Sequence, residues 1–268
     1  ISGIRHAQDE IDGSATILIL DADGILAARD KLGRLPVLIG QGENGCCVSF
    51  ESFAYHKLGY HDAYELGPRE IVRVTAGGWK TLSPAGEQMK ICAFLWVYYG
   101  YPNSNYEGVN VEVMRYRNGA IMARDEAATG GVPELDYVAG VPDSGVPSAM
   151  GYAFESGIPY ADGIVKNRYV GRTFIEPTQA MRQLGIRLKL NPLRSVIEGK
   201  RLVVIDDSIV RGNTSKKLVQ MLRDAGAAEV HLRIVSPEVL WPCFYGIDTD
   251  TRDQLIAANM DLDEMNAW

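Results

Sequence analysis

No stretch of this sequence stays apolar for the roughly 20 residues that a membrane-crossing helix needs, so no membrane span is expected. There is no excess of positive charge. Lys and Arg number 27 against 34 Asp and Glu, a net charge of −7, which argues against a general nucleic-acid binder but leaves room for a local basic pocket around a small anion. Cysteine is scarce: Cys46, Cys47, Cys92 and Cys243 are the full set, and two of them are adjacent. The chain also lacks the basic and then apolar opening of a secretory signal. A disulfide framework is therefore not expected, and the cytoplasm is the expected compartment. The four histidines, His6, His56, His61 and His231, are scattered without ligand spacing and are assigned no catalytic role. There is no internal repeat and no low-complexity tract. The chain opens on Ile1 rather than Met, which suggests a fragment of something longer.

What is present is ordinary globular material. Apolar residues make up 46% and charged residues 23% of 268, enough for one large or two modest domains with a real core. From 14 to about 75 the pattern is of short strands and turns: 15–20, 25–28, 36–39, 46–50 and 70–74, with Asp21-Ala22-Asp23-Gly24 as a hairpin turn and a short helix expected over 51–58. From about 108 the rhythm becomes strand, loop, helix. A strand at 136–141 ends in Pro142-Asp143-Ser144-Gly145. A helix at 146–155 follows, with Pro147 in its first turn and Gly157 just past its end. The apolar run 202–205 suits a parallel strand covered on both faces. In the helix after it, Thr214, Leu218, Met221, Leu222 and Ala225 share one face, and Gly226 closes it. One more strand is expected over 229–235. Alternation of this kind implies an open parallel sheet with helices on both sides, and such sheets bind ligands at the carboxyl ends of their strands.

The most informative segment runs Val203-Val204-Ile205-Asp206-Asp207-Ser208-Ile209-Val210-Arg211-Gly212-Asn213-Thr214-Ser215. A buried strand delivers two consecutive carboxylates to the sheet edge, and a loop with one glycine then leads into a helix. The helix start offers unpartnered N–H groups and a positive dipole end, which suit a phosphate. The two carboxylates suit the vicinal hydroxyls of a sugar, directly or through Mg²⁺. Taken alone, the same pattern also describes a capped helix after a strand.

The whole string resembles the phosphoribosyl pyrophosphate (PRPP) signature of type I phosphoribosyltransferases. Further strings extend the resemblance to the glutamine PRPP amidotransferase (amidophosphoribosyltransferase) family: Val141 to Gly145, Lys166 to Ile175, Arg187 to Asn191 and Pro242 to Asp248, in that family's order and approximate spacing. The resemblance implies an α/β fold in which a type I phosphoribosyltransferase parallel sheet (89–268) follows the C-terminal part of an N-terminal-nucleophile glutaminase domain of α+β layers (1–88). It implies that Asp206 and Asp207 hold the ribose hydroxyls and Mg²⁺, with Ser144 near the metal. Ser208, Ile209, Val210, Arg211, Gly212, Asn213, Thr214 and Ser215 would cradle the 5′-phosphate. Asp143, Ser144 and Gly145 would form the pyrophosphate loop. Lys166, Arg168, Tyr169, Arg172 and Thr173 would lie on a loop that closes over PRPP, and closure suits a reaction whose oxocarbenium-like state water would otherwise capture. Without the other motifs, that basic loop reads as a solvated turn.

The implied activity is formation of 5-phosphoribosylamine and pyrophosphate from PRPP and ammonia, the first step of purine biosynthesis, with glutamine as the ammonia source in the intact protein. Homo-oligomers and inhibition by purine nucleotides are also implied. Residues 13–74, including Ala27-Ala28-Arg29-Asp30 and Phe50-Glu51-Ser52, resemble the later part of the glutaminase domain. That chemistry needs a cysteine at the mature N-terminus. Here Ile1 stands first, Cys46 and Cys47 read as buried packing residues, and no glutaminase activity is expected. One subgroup of the family ligates a 4Fe–4S cluster, and Cys92 and Cys243 match two of its four ligand positions. Two thiols cannot hold such a cluster, so they are expected to be free here, and only the full-length parent is a candidate for it. The segment after Cys92 departs from the family pattern, and the aromatic residues at 96–101 read as core. Two other readings stand beside this one. A non-catalytic PRPP-binding regulator would carry a helix-turn-helix or basic region if it bound DNA, and neither is seen. A base-salvage phosphoribosyltransferase would need neither the glutaminase remnant nor the 166–175 string.

Overall fold

The computed structural model describes residues 1–130, 134–169, 189–247, 249 and 251–267. Two compact units divide the chain: Ile1–Val111 with Cys243–Asp248, and Glu112–Pro242 with Thr249–Trp268. Among the described residues no helix is long and apolar enough to cross a membrane.

The first unit is built from antiparallel sheets. It opens on helix α1 (Ser2–Glu10), followed by strands β1 (Ile17–Asp21), β2 (Gly24–Ala28), β3 (Leu38–Gly42), β4 (Gly45–Ser49), β5 (His61–Glu65), β6 (Ile71–Thr75), β7 (Gly78–Ser83), β8 (Asn105–Tyr106) and β9 (Val109–Asn110). One sheet has the order β1-β2-β6-β7 and a second β4-β3-β5. Alternate residues of β2, β3 and β6 meet in one core, Ala27, Val37, Ile39, Leu66, Val72 and Val74, so the two sheets stack. The opposite face of the first sheet carries Ala28 and Ile71 against Ile4 of α1. This period-2 division of side chains makes the layers. The expected hairpin turn joins β1 and β2, with Asp21 opposite Gly24 and the Asp23 N–H donating to Asp21 Oδ1 at 2.9 Å. Gly24 has φ 129°, and a Cβ there would lie 2.3 Å from the Val74 carbonyl oxygen, so glycine is required.

Four details differ from the sequence reading. The expected helix over 51–58 is only a 3-10 turn, His56–Leu58. So short a segment does not overcome helix nucleation, and its Tyr55 hydroxyl instead donates to the Leu38 carbonyl at 3.0 Å. The strand placed at 36–39 begins later, at Leu38, beyond Pro36, which has no N–H for the ladder. Cys46 and Cys47 are half-buried rather than buried: Cys46 packs on the core, while Cys47 faces Gly40 and Tyr55. Within the aromatic segment Leu95 and Val97 are buried, but Tyr98, Tyr99 and Tyr101 are exposed.

The second unit holds the parallel sheet. Its elements are α2 (Val111–Ala128), β10 (Tyr137–Gly140), α3 (Gly145–Ser156), β11 (Ile164–Lys166), β12 (Leu190–Pro192), α4 (Arg194–Ile197), β13 (Arg201–Asp206), α5 (Asn213–Asp224), β14 (Glu229–Ile234) and α6 (Leu262–Ala267). β13 lies between β10 and β14, parallel to both. Its side chains alternate. Leu202 and Val204 join Leu218 and Leu222 of α5 on one face, and Val203 and Ile205 join Ala123 of α2 and Ala149, Tyr152 and Ala153 of α3 on the other. Burial on both faces is the reason its sequence is continuously apolar. α3 ends at Gly157, whose φ of 75° supplies the left-handed cap. α2 and α3 cross at backbone contact: a Cβ on Gly119 would lie 1.8 Å from the Ser148 carbonyl oxygen, and one on Gly151 1.9 Å from that of Tyr116.

Candidate active site

The carboxyl end of β13 delivers Asp206 and Asp207, which are only 7% and 8% exposed. The Asp207 N–H donates to Asp206 Oδ1 at 2.9 Å. The Ser208 hydroxyl donates to Asp207 Oδ1 at 2.6 Å, and the Ser144 hydroxyl to Asp207 Oδ2. That last bond joins two loops 63 residues apart in sequence. Burial pushes the Asp206 carboxyl well above the ordinary carboxylate range, and the charge of Asp207 adds to it. Asp207 is also raised by burial, against the lowering effects of the Ser144 and Ser208 hydroxyls and the Arg115 guanidinium. Arg115 is itself only 3% exposed.

The loop after β10 is pressed against this edge. Gly145 donates its N–H to the Val141 carbonyl at 3.0 Å, and a Cβ on it would lie 2.5 Å from the Ile205 carbonyl oxygen. Only glycine fits there. The Pro142–Asp143 peptide is cis. Asp143 is exposed and forms an ion pair with the ammonium of Lys166 at the end of β11. Arg168 and Tyr169 are exposed, Tyr169 fully so. Arg172 and Thr173, like the rest of the expected closing loop from Val170 onward, lie outside the described residues.

Beyond Asp207 the chain passes through Ser208, Ile209 and Val210, which are half-buried, to the exposed Arg211. Gly212 caps α5 with φ 75°. Asn213, Thr214 and Ser215 form the first turn, where helical N–H groups have no partner within the helix, and the Ser215 side chain is buried. The structure thus brings 143–145 and 206–215 to the carboxyl end of one sheet, with Lys166, on the separate β11–β12 pair, tied to them through Asp143.

This arrangement fits a metal that brings ligands of its own. Mg²⁺ is commonly held by one or two carboxylates plus substrate phosphates and water. Asp206 and Asp207 offer oxygen donors whose burial and mutual repulsion a cation relieves. Among the described residues no cluster of three or more His, Cys, Asp or Glu forms a metal site.

Cys92 and Cys243 both lie in the first unit, and neither forms a disulfide. Both bear on the Tyr99 hydroxyl: the side chain as a whole is exposed, but burial around its hydroxyl raises it first and the Cys92 thiol second. Burial raises the Cys243 thiol, but the N–H groups of Tyr245, Ile247 and Gly246 and the charge of Arg34 bring it below the ordinary value. The sequence reading missed Arg115, which carries no motif, and the bonds that hold the 208–212 loop from outside.

The class of protein follows from this sheet and its loops. A model of the phosphoribosyl transferase domain matches residues 128–236, which include both loops and all three parallel strands, and the fold is the type I phosphoribosyltransferase sheet expected from sequence, preceded by glutaminase-type layers. The likeness extends further along the chain. An amidophosphoribosyltransferase of Synechococcus elongatus is 46% identical over 98% of this chain and 53% of its own length. One of Mycobacterium tuberculosis is 47% identical over 92% of this chain and 46% of its own. The solved structure of glutamine PRPP amidotransferase from B. subtilis, complexed with ADP and GMP, superposes with a TM-score of 0.86 at 40% identity, over 99% of this chain and 58% of that one. By sequence and by fold the chain is similar to the amidophosphoribosyltransferases, and it spans about half the length of the curated relatives it matches.

Proposed function

We propose that this chain transfers the phosphoribosyl group of PRPP to ammonia, forming 5-phosphoribosylamine and pyrophosphate in the first step of purine biosynthesis. The observation that carries the reading is the buried Asp206–Asp207 pair, hydrogen-bonded to Ser144 and followed directly by the Gly212 turn into α5. In this reading the two carboxylates accept hydrogen bonds from the ribose hydroxyls. Residues 208–215 bind the 5′-phosphate through backbone N–H groups and hydroxyls. Asp143, Ser144 and Gly145 receive the pyrophosphate, and Lys166 and Arg168, with Tyr169, Arg172 and Thr173, close on it and balance its charge. The nitrogen lone pair of ammonia forms the new bond to the anomeric carbon as the bond to pyrophosphate breaks. The ammonium proton passes to solvent or to the departing pyrophosphate. When bound, Mg²⁺ supplies charge neutralisation for that leaving group, and Asp206, Asp207 and Ser144 are the residues that would hold it.

In the intact protein glutamine is the ammonia source. This chain is not expected to use it, because Cys46 and Cys47 lie within β4 with no free α-amine beside them, and burial raises the Cys47 thiol above its ordinary value. Purine nucleotides as inhibitors are supported by the ADP and GMP complex of the B. subtilis relative. Homo-oligomerisation and a cytoplasmic location complete the proposal. Cys92 and Cys243 are proposed as thiols outside any cluster here and as two of four cluster ligands in a full-length parent.

The test is pyrophosphate release from PRPP and Mg²⁺, with ammonium or glutamine as nitrogen donor, beside Asp206→Asn and Asp207→Asn. Release that needs ammonium, does not respond to glutamine and disappears in both variants is the expected result. PRPP binding without release would overturn the catalytic reading in favour of a PRPP-binding regulator.

A further inference from the structure

The C-terminal part of the second unit folds back on the loop that follows β13. Two 3-10 turns, Arg252–Gln254 and Ile256–Ala258, form a short strap. Asn259 staples it: its side-chain amide donates to the carbonyls of Arg252 at 3.3 Å, Asp253 at 3.1 Å and Leu255 at 2.7 Å. Leu255 is fully buried and Ile256 nearly so, which anchors the strap. At its start the Arg252 guanidinium lies 4.4 Å from the centre of the Trp241 ring.

Among the described residues, hydrogen bonds at two points tie this strap to the loop. The Ile256 N–H donates to the Val210 carbonyl at 3.0 Å, and Arg211 Nε donates to Gln254 Oε1 at 2.8 Å. Both ties fall on the two residues that precede Gly212. That glycine turns the chain through φ 75° into α5. A turn of this kind can aim successive N–H groups at one anion, and its reach depends on how the residues before it are held. Here they are held from a distance of more than 40 residues in sequence.

We infer that residues 252–259 are a positioning element for the 5′-phosphate end of the site, with Gln254 and Asn259 as positioning residues that act through Val210 and Arg211. The inference rests on the PRPP reading. It assigns the strap to one half of the substrate: both ties run to 210 and 211, and neither runs to the 142–145 loop. Weakening the strap therefore separates ribose 5-phosphate binding from pyrophosphate binding.

The experiment titrates the full chain with ribose 5-phosphate and, separately, with pyrophosphate and Mg²⁺. It compares wild type with Asn259→Ala, Gln254→Ala and Gln254→Glu, the last of which keeps an acceptor for Arg211. Loss of one such hydrogen bond should weaken ribose 5-phosphate binding by about tenfold in the two alanine variants. KM for PRPP should rise similarly while kcat holds within about twofold. Pyrophosphate affinity should be unchanged, and Gln254→Glu should restore the ribose 5-phosphate affinity. Gln254 ties to Arg211 from outside the staple that Asn259 forms within the strap, so its variants remain informative if Asn259→Ala fails to fold. Equal weakening for both probes, or no weakening for either, overturns the inference while leaving the PRPP reading intact. A wild-type chain that binds neither probe overturns both.

Discussion

In the first unit, Glu65 of β5 is a carboxyl that the fold prefers protonated. Its Oε2 accepts the Glu107 N–H at 2.7 Å, while its Oε1 is buried without a hydrogen-bond partner. Burial first, and the Glu107 charge second, push it from an ordinary 4.5 up to about 7. The buried Arg29 is close, but its guanidinium is committed to Glu107 at 2.8 Å and to the carbonyls of Leu35 and Gly33. The sign follows from linkage. Between 4.5 and about 7 an unfolded chain has released this proton and the folded chain keeps it. The stability that Glu65 contributes is therefore complete at low pH and is lost as pH rises towards 7. Each pH unit in that span is worth about 1.4 kcal/mol, a ceiling of roughly 3 kcal/mol, and partial solvent screening of this half-buried side chain reduces it to the order of 1–2 kcal/mol. Glu65→Gln keeps the shape and removes the ionisation. Urea unfolding at about pH 8 should find the variant more stable than wild type by that amount, and at about pH 5 the two should be close. Hydrogen exchange of the Glu107 amide should slow in the variant at the higher pH. Parallel pH profiles for the two proteins would refute the reasoning.

Two further predictions concern the second unit. Gly119→Ala places a Cβ 1.8 Å from the Ser148 carbonyl oxygen, so α2 and α3 must separate; a loss of roughly 1–3 kcal/mol or more should appear as a lowered Tm, and an unchanged Tm would contradict the close crossing. Glu126 links three elements, since it pairs with Arg233 and accepts the Tyr152 hydroxyl at 2.7 Å. The Arg233 guanidinium holds its carboxyl below the ordinary range, so its contribution is present near neutral pH and fades as pH falls through that lowered value. Glu126→Gln should cost about 1–2 kcal/mol near neutral pH and progressively less in acid, which unfolding measured at several pH values would check.

The parts of the fold that were legible in sequence are those whose causes are local. β13 is apolar throughout because both its faces are covered. The Asp206-Asp207 pair and the glycine that starts α5 follow it without interruption, so one string of thirteen residues carries strand, carboxylates, loop and helix start. The hairpin at Asp21 to Gly24 is equally self-contained. α2 was not legible, for a physical reason. It packs on α3 through Gly119 and buries Arg115, so it presents small residues and a charge where a helix is ordinarily recognised by an apolar stripe. The 252–259 strap is invisible from its own residues, because its partners Val210 and Arg211 lie more than 40 positions away.

The site also stands out by where it departs from what stability alone would select. Two adjacent carboxylates at 7% and 8% exposure raise each other's free energy, and the surrounding hydroxyls of Ser144 and Ser208 offset this only in part, since both carboxyls remain raised. Hydrophobic residues of similar volume would stabilise the sheet edge better. A chain that keeps such a pair beside a glycine turn and a loop fixed by Gly145 has its local conflict concentrated where strands end, and conflicts of that kind collect at functional sites. The same carboxylates that the fold holds at a cost are the groups that a sugar hydroxyl or a hard cation would satisfy, so ligand binding and relief of the conflict are one event. It follows that PRPP or Mg²⁺ should stabilise the second unit by more than contact area alone would suggest, because binding removes a repulsion already present in the unliganded fold.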